Sequence, residues 1–131
     1  MTVADTSLLI DLLQGDPGAL RIRDGYAAES WILHAPDIAL HELHRSLAQV
    51  RRPDRKWDDI RNVLKHCARL PFDREAAAIA GQIEGALKRE GTPIDTEDCM
   101  IAGIALANGM AVLTRNTRDF GRITGLDVQT Y

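Results

Sequence analysis

Four acidic residues are the first candidates for chemistry in this sequence of 131 residues. Each lies just after a predicted strand or on a helix that borders one, at the positions Asp5, Glu42, Asp98 and Asp119. Open α/β sheets hold their ligands outside the carboxyl ends of their strands. We therefore expect the four side chains to lie together at one edge of a sheet.

A cluster of four carboxylates predicts a metal site, because the negative charges repel one another unless a hard cation holds them. Carboxylate oxygens are the ligands that Mg²⁺ and Mn²⁺ prefer. An ion held in this way activates water and stabilises charge on a phosphate, which is the chemistry of phosphodiester hydrolysis. Asp95 adds a fifth acid nearby. We give it an auxiliary role at most, because it can equally cap the helix that starts at Thr96.

Taken one at a time, the same residues have ordinary structural explanations. Asp5 and Asp119 suit helix N-caps. Asp98 suits a helix N-terminus electrostatically, and Glu42 suits a solvated helix face. Their combination at matched positions is what favours a metal site.

The elements that position these acids alternate between strands and helices. In one predicted helix Leu40, Leu43 and Leu47 recur every three or four positions, whereas residues 110–114 form a continuous apolar run, typical of a strand buried on both faces. The alternation predicts one α/β domain over residues 1–131, with three layers (α/β/α) and a central, mostly parallel sheet. The predicted strands lie within 1–7, 31–34, 70–72, 110–114 and 128–131, and the predicted helices span about 8–13, 17–29, 37–50, 54–68, 73–91 and 96–108, with a helical turn from 119.

Composition and charge narrow the class of protein. An apolar fraction of 45% and a charged fraction of 27% exclude disordered and fibrous chains. The net charge of −3 argues against a nucleic-acid binder, but without the four candidate carboxylates 16 basic residues face 15 acidic ones, a balance of +1. No membrane span or secretory signal is predicted, so we expect a cytoplasmic protein. Cys67 and Cys99 lie in predicted helices, and we expect both to be reduced packing residues.

Three segments and one further acid carry a family resemblance that covers nearly the whole chain. They are residues 3–10 (VADTSLLI), Glu42 in a leucine-rich helix, 94–102 (IDTEDCMIA) and 112–120 (VLTRNTRDF). They resemble the PIN-domain family, and in particular the VapC-type toxins of bacterial toxin–antitoxin pairs. The resemblance implies a parallel-sheet ribonuclease fold and Mg²⁺- or Mn²⁺-dependent RNA cleavage. The residues that it implies for the acidic quartet are Asp5, Glu42, Asp98 and Asp119, and the polar residues that it implies beside the metal are Thr114 and Asn116.

The resemblance further implies that the chain binds a cognate antitoxin and forms a homodimer. In the family, helices near the N-terminal unit help to form the antitoxin groove and the homodimer. The four leucines between Leu8 and Leu13 give a wider apolar surface than one small helix needs for packing. Arg115 and Arg118 flank Asn116, and we expect them to hold RNA phosphates at the mouth of the site. A solvated surface role is the alternative for each arginine.

The competing functional class is a non-catalytic PIN-like module that works through partner or DNA binding and retains its acids without using them. Loss of Mg²⁺ binding in Asp5→Asn would favour the enzyme over this module. A zinc protease is not favoured, since His41 and His44 are three positions apart where the HExxH motif needs four. Nucleotide hydrolysis and dinucleotide binding lack their usual glycine-rich motifs.

Overall fold

A five-stranded sheet lies at the centre of the computed structural model, which describes residues 1–131. Its strands are β1 (Thr2–Ala4), β2 (Leu33–Pro36), β3 (Cys67–Leu70), β4 (Ala111–Leu113) and β5 (Val128–Gln129). The order across the sheet is β3-β2-β1-β4-β5, and every neighbouring pair is parallel. β1 is therefore the central strand, and the chain after it enters the edge where ligands bind in such sheets.

Helices connect the strands on both faces of the sheet. They are α1 (Thr6–Gln14), α2 (Pro17–Ala28), α3 (Asp37–Ser46), α4 (Pro53–Leu64), α5 (Arg74–Arg89), α6 (Thr96–Ala107) and α7 (Thr117–Phe120), with a 3₁₀ turn at Leu47–Gln49. None of these helices is long and apolar enough to cross a membrane.

The two faces of the sheet bury separate apolar cores. Val3 packs into one cluster with residues of α5 and α6, while the next residue, Ala4, packs into a second cluster with residues of α1, α3 and α4. Consecutive strand residues point to opposite faces, so this division gives two cores around one sheet. The predicted three-layer α/β fold is confirmed, and the mostly parallel sheet is parallel throughout.

Gly103 allows α5 and α6 to pack very closely. A Cβ atom at this position would lie 2.5 Å from the carbonyl oxygen of Ala76 and 2.9 Å from the Cβ of Ala80. Both contacts are shorter than real Cβ atoms tolerate, and one of them involves backbone, which cannot move cheaply. The close packing fixes α6, the helix that carries Asp98.

Two predicted strands have different bounds in the structure. Residues 31–34 were expected in a strand, but Trp31 and Ile32 are 63% and 51% exposed, and β2 starts at Leu33, opposite Thr2 of β1. The strand predicted at 70–72 is β3 at Cys67–Leu70, so α4 ends earlier than expected. β3 pairs only with β2 and is half-exposed, so it lacks the apolar run that marks a central strand.

The structure also corrects two expectations about individual side chains. Cys67 lies in a strand and not in a helix, although both cysteines are free, as predicted. The leucines of α1 do not form an open surface, because Leu8 and Leu9 are fully buried in the chain's own core and Leu12 is 9% exposed. The large apolar side chain of α1 that stays exposed is Ile10, at 38%.

Candidate functional site

Asp5 joins the carboxyl ends of β1 and β4. It is the N-cap of α1, and its Oδ1 accepts hydrogen bonds from the backbone N–H of Leu8 (3.0 Å) and from the hydroxyl of Ser7 (2.7 Å). Its Oδ2 accepts a hydrogen bond from the Thr114 hydroxyl (2.6 Å), just beyond β4. Asp5 is 3% exposed, and burial raises the pKa of its carboxyl while these hydrogen bonds oppose the rise. The carboxylate is therefore both a helix cap and a buried acid at the sheet edge.

Thr114 connects Asp5 to the segment that follows β4 through two hydrogen bonds. It is fully buried, and its Oγ1 accepts a hydrogen bond from the backbone N–H of Asn116 (2.8 Å) while donating to Asp5. One hydroxyl therefore fixes both the Asp5 carboxylate and the start of the segment that leads into α7.

Asn116 brings two more of the predicted acids together. Its Nδ2 donates to Oδ2 of Asp98 (3.4 Å), in the first turn of α6, and to Oδ2 of Asp119 (3.2 Å), in α7. Asp119 was expected to begin the helical turn, but α7 starts at Thr117, so Asp119 lies inside the helix and not at its N-cap. Asn116 thus links carboxylates that lie 21 positions apart in the sequence.

Glu42 enters the site from α3, on the other side of β1. Its Oε1 accepts a hydrogen bond from the Thr6 hydroxyl (2.6 Å), and its Oε2 lies 3.8 Å from Nη2 of Arg45. Arg45 also binds Oε1 of Glu97 (2.9 Å). Burial raises the pKa of Glu42, against the hydrogen bond from Thr6. The alternative of a solvated helix residue therefore does not hold for Glu42, whose side chain is 19% exposed.

Asp98 has the most perturbed carboxyl at this edge. Burial raises its pKa to about 7, and the negative charges of four other acids add to the rise. Those acids are Asp5, Asp95, Glu42 and Asp119. The structure therefore places the other three predicted acids within electrostatic reach of Asp98.

The chemistry of this donor set fits a hard divalent cation, since its acidic members offer only carboxylate oxygens. The carboxylate oxygens accept hydrogen bonds from protein donors on Thr6, Ser7, Thr114 and Asn116. In this arrangement no three acidic, histidine or cysteine side chains are close enough to hold one ion together.

Several functional neighbours were missed or misread in the sequence. Thr6 and Ser7 were not singled out as site residues, although each donates a hydrogen bond to a candidate acid. Arg45 and Glu97 were not singled out, and their pairing depends on the contact between α3 and α6. Asp95 is at the N-cap position of α6 but its side chain makes no capping hydrogen bond, so capping does not account for it.

The two arginines expected to bind RNA have different surroundings. Arg115 makes ion pairs with Asp11 (3.1 Å) and Asp16 (2.8 Å), and its guanidinium lies over the ring of Tyr131. Arg118 is exposed and makes no ion pair. Of the two, Arg118 has the free guanidinium that a phosphate contact requires.

Two cavities of about 510 and 560 Å³ lie away from these acids, near the amino ends of the strands. Tyr26 and Trp31 line both. None of the four candidate acids lines either cavity.

Comparison with known proteins gives the same assignment along almost the entire chain. The PIN domain model matches residues 2–126. The tRNA(fMet)-specific endonucleases VapC of Salmonella typhimurium and Shigella flexneri are 31% and 30% identical over 127 residues, which cover 97% of this chain and 95% of each relative.

Solved structures agree in fold. DNA-bound VapBC from Salmonella typhimurium matches with a TM-score of 0.88 and 31% identity, covering 99% of this chain and 98% of that one. VapBC2 from Rickettsia felis, bound to a promoter DNA fragment, matches with a TM-score of 0.90 at 18% identity, over 99% and 98% of the two chains, which is a likeness of fold alone. The family resemblance in the sequence is confirmed: the chain belongs to the PIN-domain family, and its relatives include VapC proteins.

Proposed function

We propose that this chain is a metal-dependent endoribonuclease and the toxin of a toxin–antitoxin pair, hydrolysing RNA phosphodiester bonds with activated water. The observation that supports it most is the position of Asp98, whose pKa is raised to about 7 by burial and by four neighbouring acids. Such an arrangement is costly for folding alone and useful for holding a cation. The VapC relatives, which are named as endonucleases, support the same activity.

In this proposal Mg²⁺ or Mn²⁺ is held by Asp5, Glu42, Asp98 and Asp119. When bound, such an ion activates water at neutral pH and neutralises charge that develops on the phosphate and the leaving oxygen. The chain's own polar groups orient the ligands. Thr114 orients Oδ2 of Asp5, and Thr6 orients Oε1 of Glu42. Asn116 binds one carboxylate oxygen each of Asp98 and Asp119 and so orients both side chains.

Arg118 extends the site towards the RNA backbone. Its exposed guanidinium is in the first turn of α7, one residue before Asp119. A phosphate contact there positions the RNA without reading its sequence. Because two relatives are named as specific for tRNA(fMet), this tRNA is the first substrate to test.

The proposed partners are a cognate antitoxin, which blocks the activity, and a second copy of the chain in a homodimer, acting in the cytoplasm. The matching Salmonella structure is a VapBC complex.

Expression in a bacterial host tests the proposed function. The wild-type chain, induced alone, should arrest growth and produce new RNA ends in total cellular RNA. Asp5→Asn should do neither, and Asp127→Asn, which changes an exposed acid, should behave as the wild type. Growth arrest without new RNA ends would refute the ribonuclease and favour a module that acts through binding.

A further inference from the structure

Arg115 lies at the centre of a cluster of charged and aromatic side chains, which we call the Arg115 cluster: Asp11, Asp16, Arg115 and Tyr131. The Arg115 guanidinium donates from Nη1 to Asp11 (3.1 Å) and from both Nη1 and Nη2 to Asp16 (3.1 and 2.8 Å). Its central carbon lies 4.5 Å from the centre of the Tyr131 ring. A guanidinium with two carboxylate partners and a stacked ring is well fixed for a surface arginine.

Tyr131 closes the cluster. Its hydroxyl donates to Oδ2 of Asp11 (2.8 Å), and its backbone carbonyl accepts from Nε of Arg115 (3.3 Å). Asp16 is also the N-cap of α2, where its Oδ1 accepts from the backbone N–H of Ala19 (2.9 Å). Each polar side chain in the cluster therefore has two or more partners.

Gly18 leaves the space that the guanidinium occupies. A Cβ at this position would lie 2.5 Å from Nη2 of Arg115 and 3.1 Å from Oδ1 of Asp16. A side chain at residue 18 would therefore displace the guanidinium from Asp16.

The cluster joins the candidate site to two helices. Arg115 lies between Thr114, which binds Asp5, and Asn116, which binds Asp98 and Asp119. Its partner Asp11 is on α1, the helix that Asp5 caps, and Asp16 begins α2. Residues 114–116 are thus held by the ion pairs of Arg115 with Asp11 and Asp16. They are also held by the hydrogen bonds that Thr114 and Asn116 make to the candidate acids.

We propose that Arg115 is a positioning residue, which holds residues 114–116 so that Thr114 and Asn116 can orient the acids. This inference rests on the proposed ribonuclease function for its catalytic consequence, but not for its structural one. It replaces the predicted RNA contact of Arg115, because its guanidinium is already shared by two carboxylates. With one cation and two carboxylates, the cluster also has the wrong charge for RNA.

The first test uses hydrogen exchange in the protein without RNA and with EDTA. Arg115→Gln should raise the exchange rates of backbone amides in residues 114–118 by roughly tenfold. Asp16→Asn keeps the cap acceptor and leaves the Arg115–Asp11 pair in place, so it should raise these rates by a smaller factor. The double variant should exchange no faster than Arg115→Gln, because the contact that Asp16→Asn weakens is already absent when Arg115 is replaced. Arg61→Gln is the matched control, since Arg61 pairs with Asp58 and stacks on Trp57 entirely within α4.

The second test separates positioning from RNA binding. Arg115→Gln and Arg115→Lys should both lower kcat by roughly ten- to a hundredfold with KM within about twofold of wild type, since small displacements of a site carry costs of this order. RNA affinity in EDTA and its salt dependence should be unchanged. A lysine would preserve a phosphate contact, but not the paired contacts to Asp16.

The outcomes are distinguishable. Unchanged exchange at 114–118 in Arg115→Gln and Asp16→Asn, both folded as judged by thermal unfolding, would overturn the inference. If Arg115→Gln weakens RNA binding and Arg115→Lys restores it, Arg115 contacts the RNA backbone and the proposed positioning role is wrong. If the wild type cleaves no RNA, the proposed function fails, and the exchange measurement still decides whether the cluster holds the segment.

Discussion

The hydroxyl of Thr114 donates a 2.6 Å hydrogen bond to Oδ2 of Asp5, although the two residues are 109 positions apart in the sequence. The contact exists because β1 and β4 are parallel neighbours in register, with Ala4 opposite Leu113. Each residue follows its strand directly, so the strand pairing brings the two side chains together. The centre of the candidate site is therefore set by the pairing of two three-residue strands.

Replacing this hydroxyl should cost both stability and activity. Thr114→Val retains the side-chain shape but leaves Oδ2 of Asp5 and the N–H of Asn116 without their partner, which should destabilise the fold by about 1 to 3 kcal/mol. Thr114→Ser should keep most of the stability and RNA cleavage. Urea unfolding of the three proteins measures the difference, and a valine variant as stable as wild type would show that the hydrogen bond contributes nothing.

The order of the elements was predictable from the sequence because the pattern is strong where both faces are buried. The apolar run of residues 110–114 marked the strand β4, and an aspartate at the end of β1 marked the site. β3 was misplaced because an edge strand pairs on one side only and has no such run. The acids could be grouped because strand ends meet at one edge of a parallel sheet.

The partners of those acids could not be predicted in the same way. Thr6 reaches Glu42 only because α1 packs beside α3, and Arg45 reaches Glu97 only because α3 meets α6. Helix packing of this kind depends on side-chain volumes across the whole core and leaves no local signal. The ion pairs of Arg115 could not be predicted for the same reason, since Asp11 in α1 and Asp16 at the N-cap of α2 lie about a hundred positions earlier.

Removing the charge of Asp98 should stabilise the metal-free protein while impairing cleavage. Asp98→Asn keeps the shape and removes one of the repelling carboxylates, and the gain should be roughly 1 to 2 kcal/mol after allowance for solvent screening. Mg²⁺ should reverse the ranking, because an ion bound only by the folded state adds about 2.7 kcal/mol at a hundredfold excess over its Kd. Thermal unfolding with EDTA and with Mg²⁺ measures both effects. If the wild type is more stable than Asp98→Asn in EDTA, Asp98 is an ordinary carboxylate at a helix end and not a metal ligand.

The same carboxyl should make the metal-free protein less stable as the pH rises from about 4 to about 7. The pKa of Asp98 is raised by burial to about 7 in the folded state, from 3.8, so the folded state binds more protons between these values. Its contribution to stability is present at low pH and is lost as the pH rises through 7. The difference in unfolding midpoint between Asp98→Asn and wild type should therefore grow over this range. Parallel pH profiles for the two proteins would contradict the raised pKa.

Arg118 should contribute to RNA affinity without taking part in the chemistry. Arg118→Ala should weaken binding and lower the slope of log affinity against log salt by about 0.7, the value for one phosphate contact on a single strand. Binding is measured in EDTA, so that the RNA stays intact, with Arg61→Ala as the control. If the slope is the same in Arg118→Ala and wild type, Arg118 is an ordinary solvated residue.

If the acids at the sheet edge hold the metal that cleavage needs, RNA cleavage must depend both on a divalent ion and on these carboxylates. Cleavage of total bacterial RNA by partner-free protein is followed with Mg²⁺, with Mn²⁺ and with EDTA, for wild type, Asp5→Asn and the control Asp127→Asn. Wild type and Asp127→Asn should cleave RNA with either metal and should not cleave it in EDTA, and Asp5→Asn should lose several orders of magnitude of activity. Full cleavage in EDTA, or by Asp5→Asn with Mg²⁺, would contradict this metal assignment.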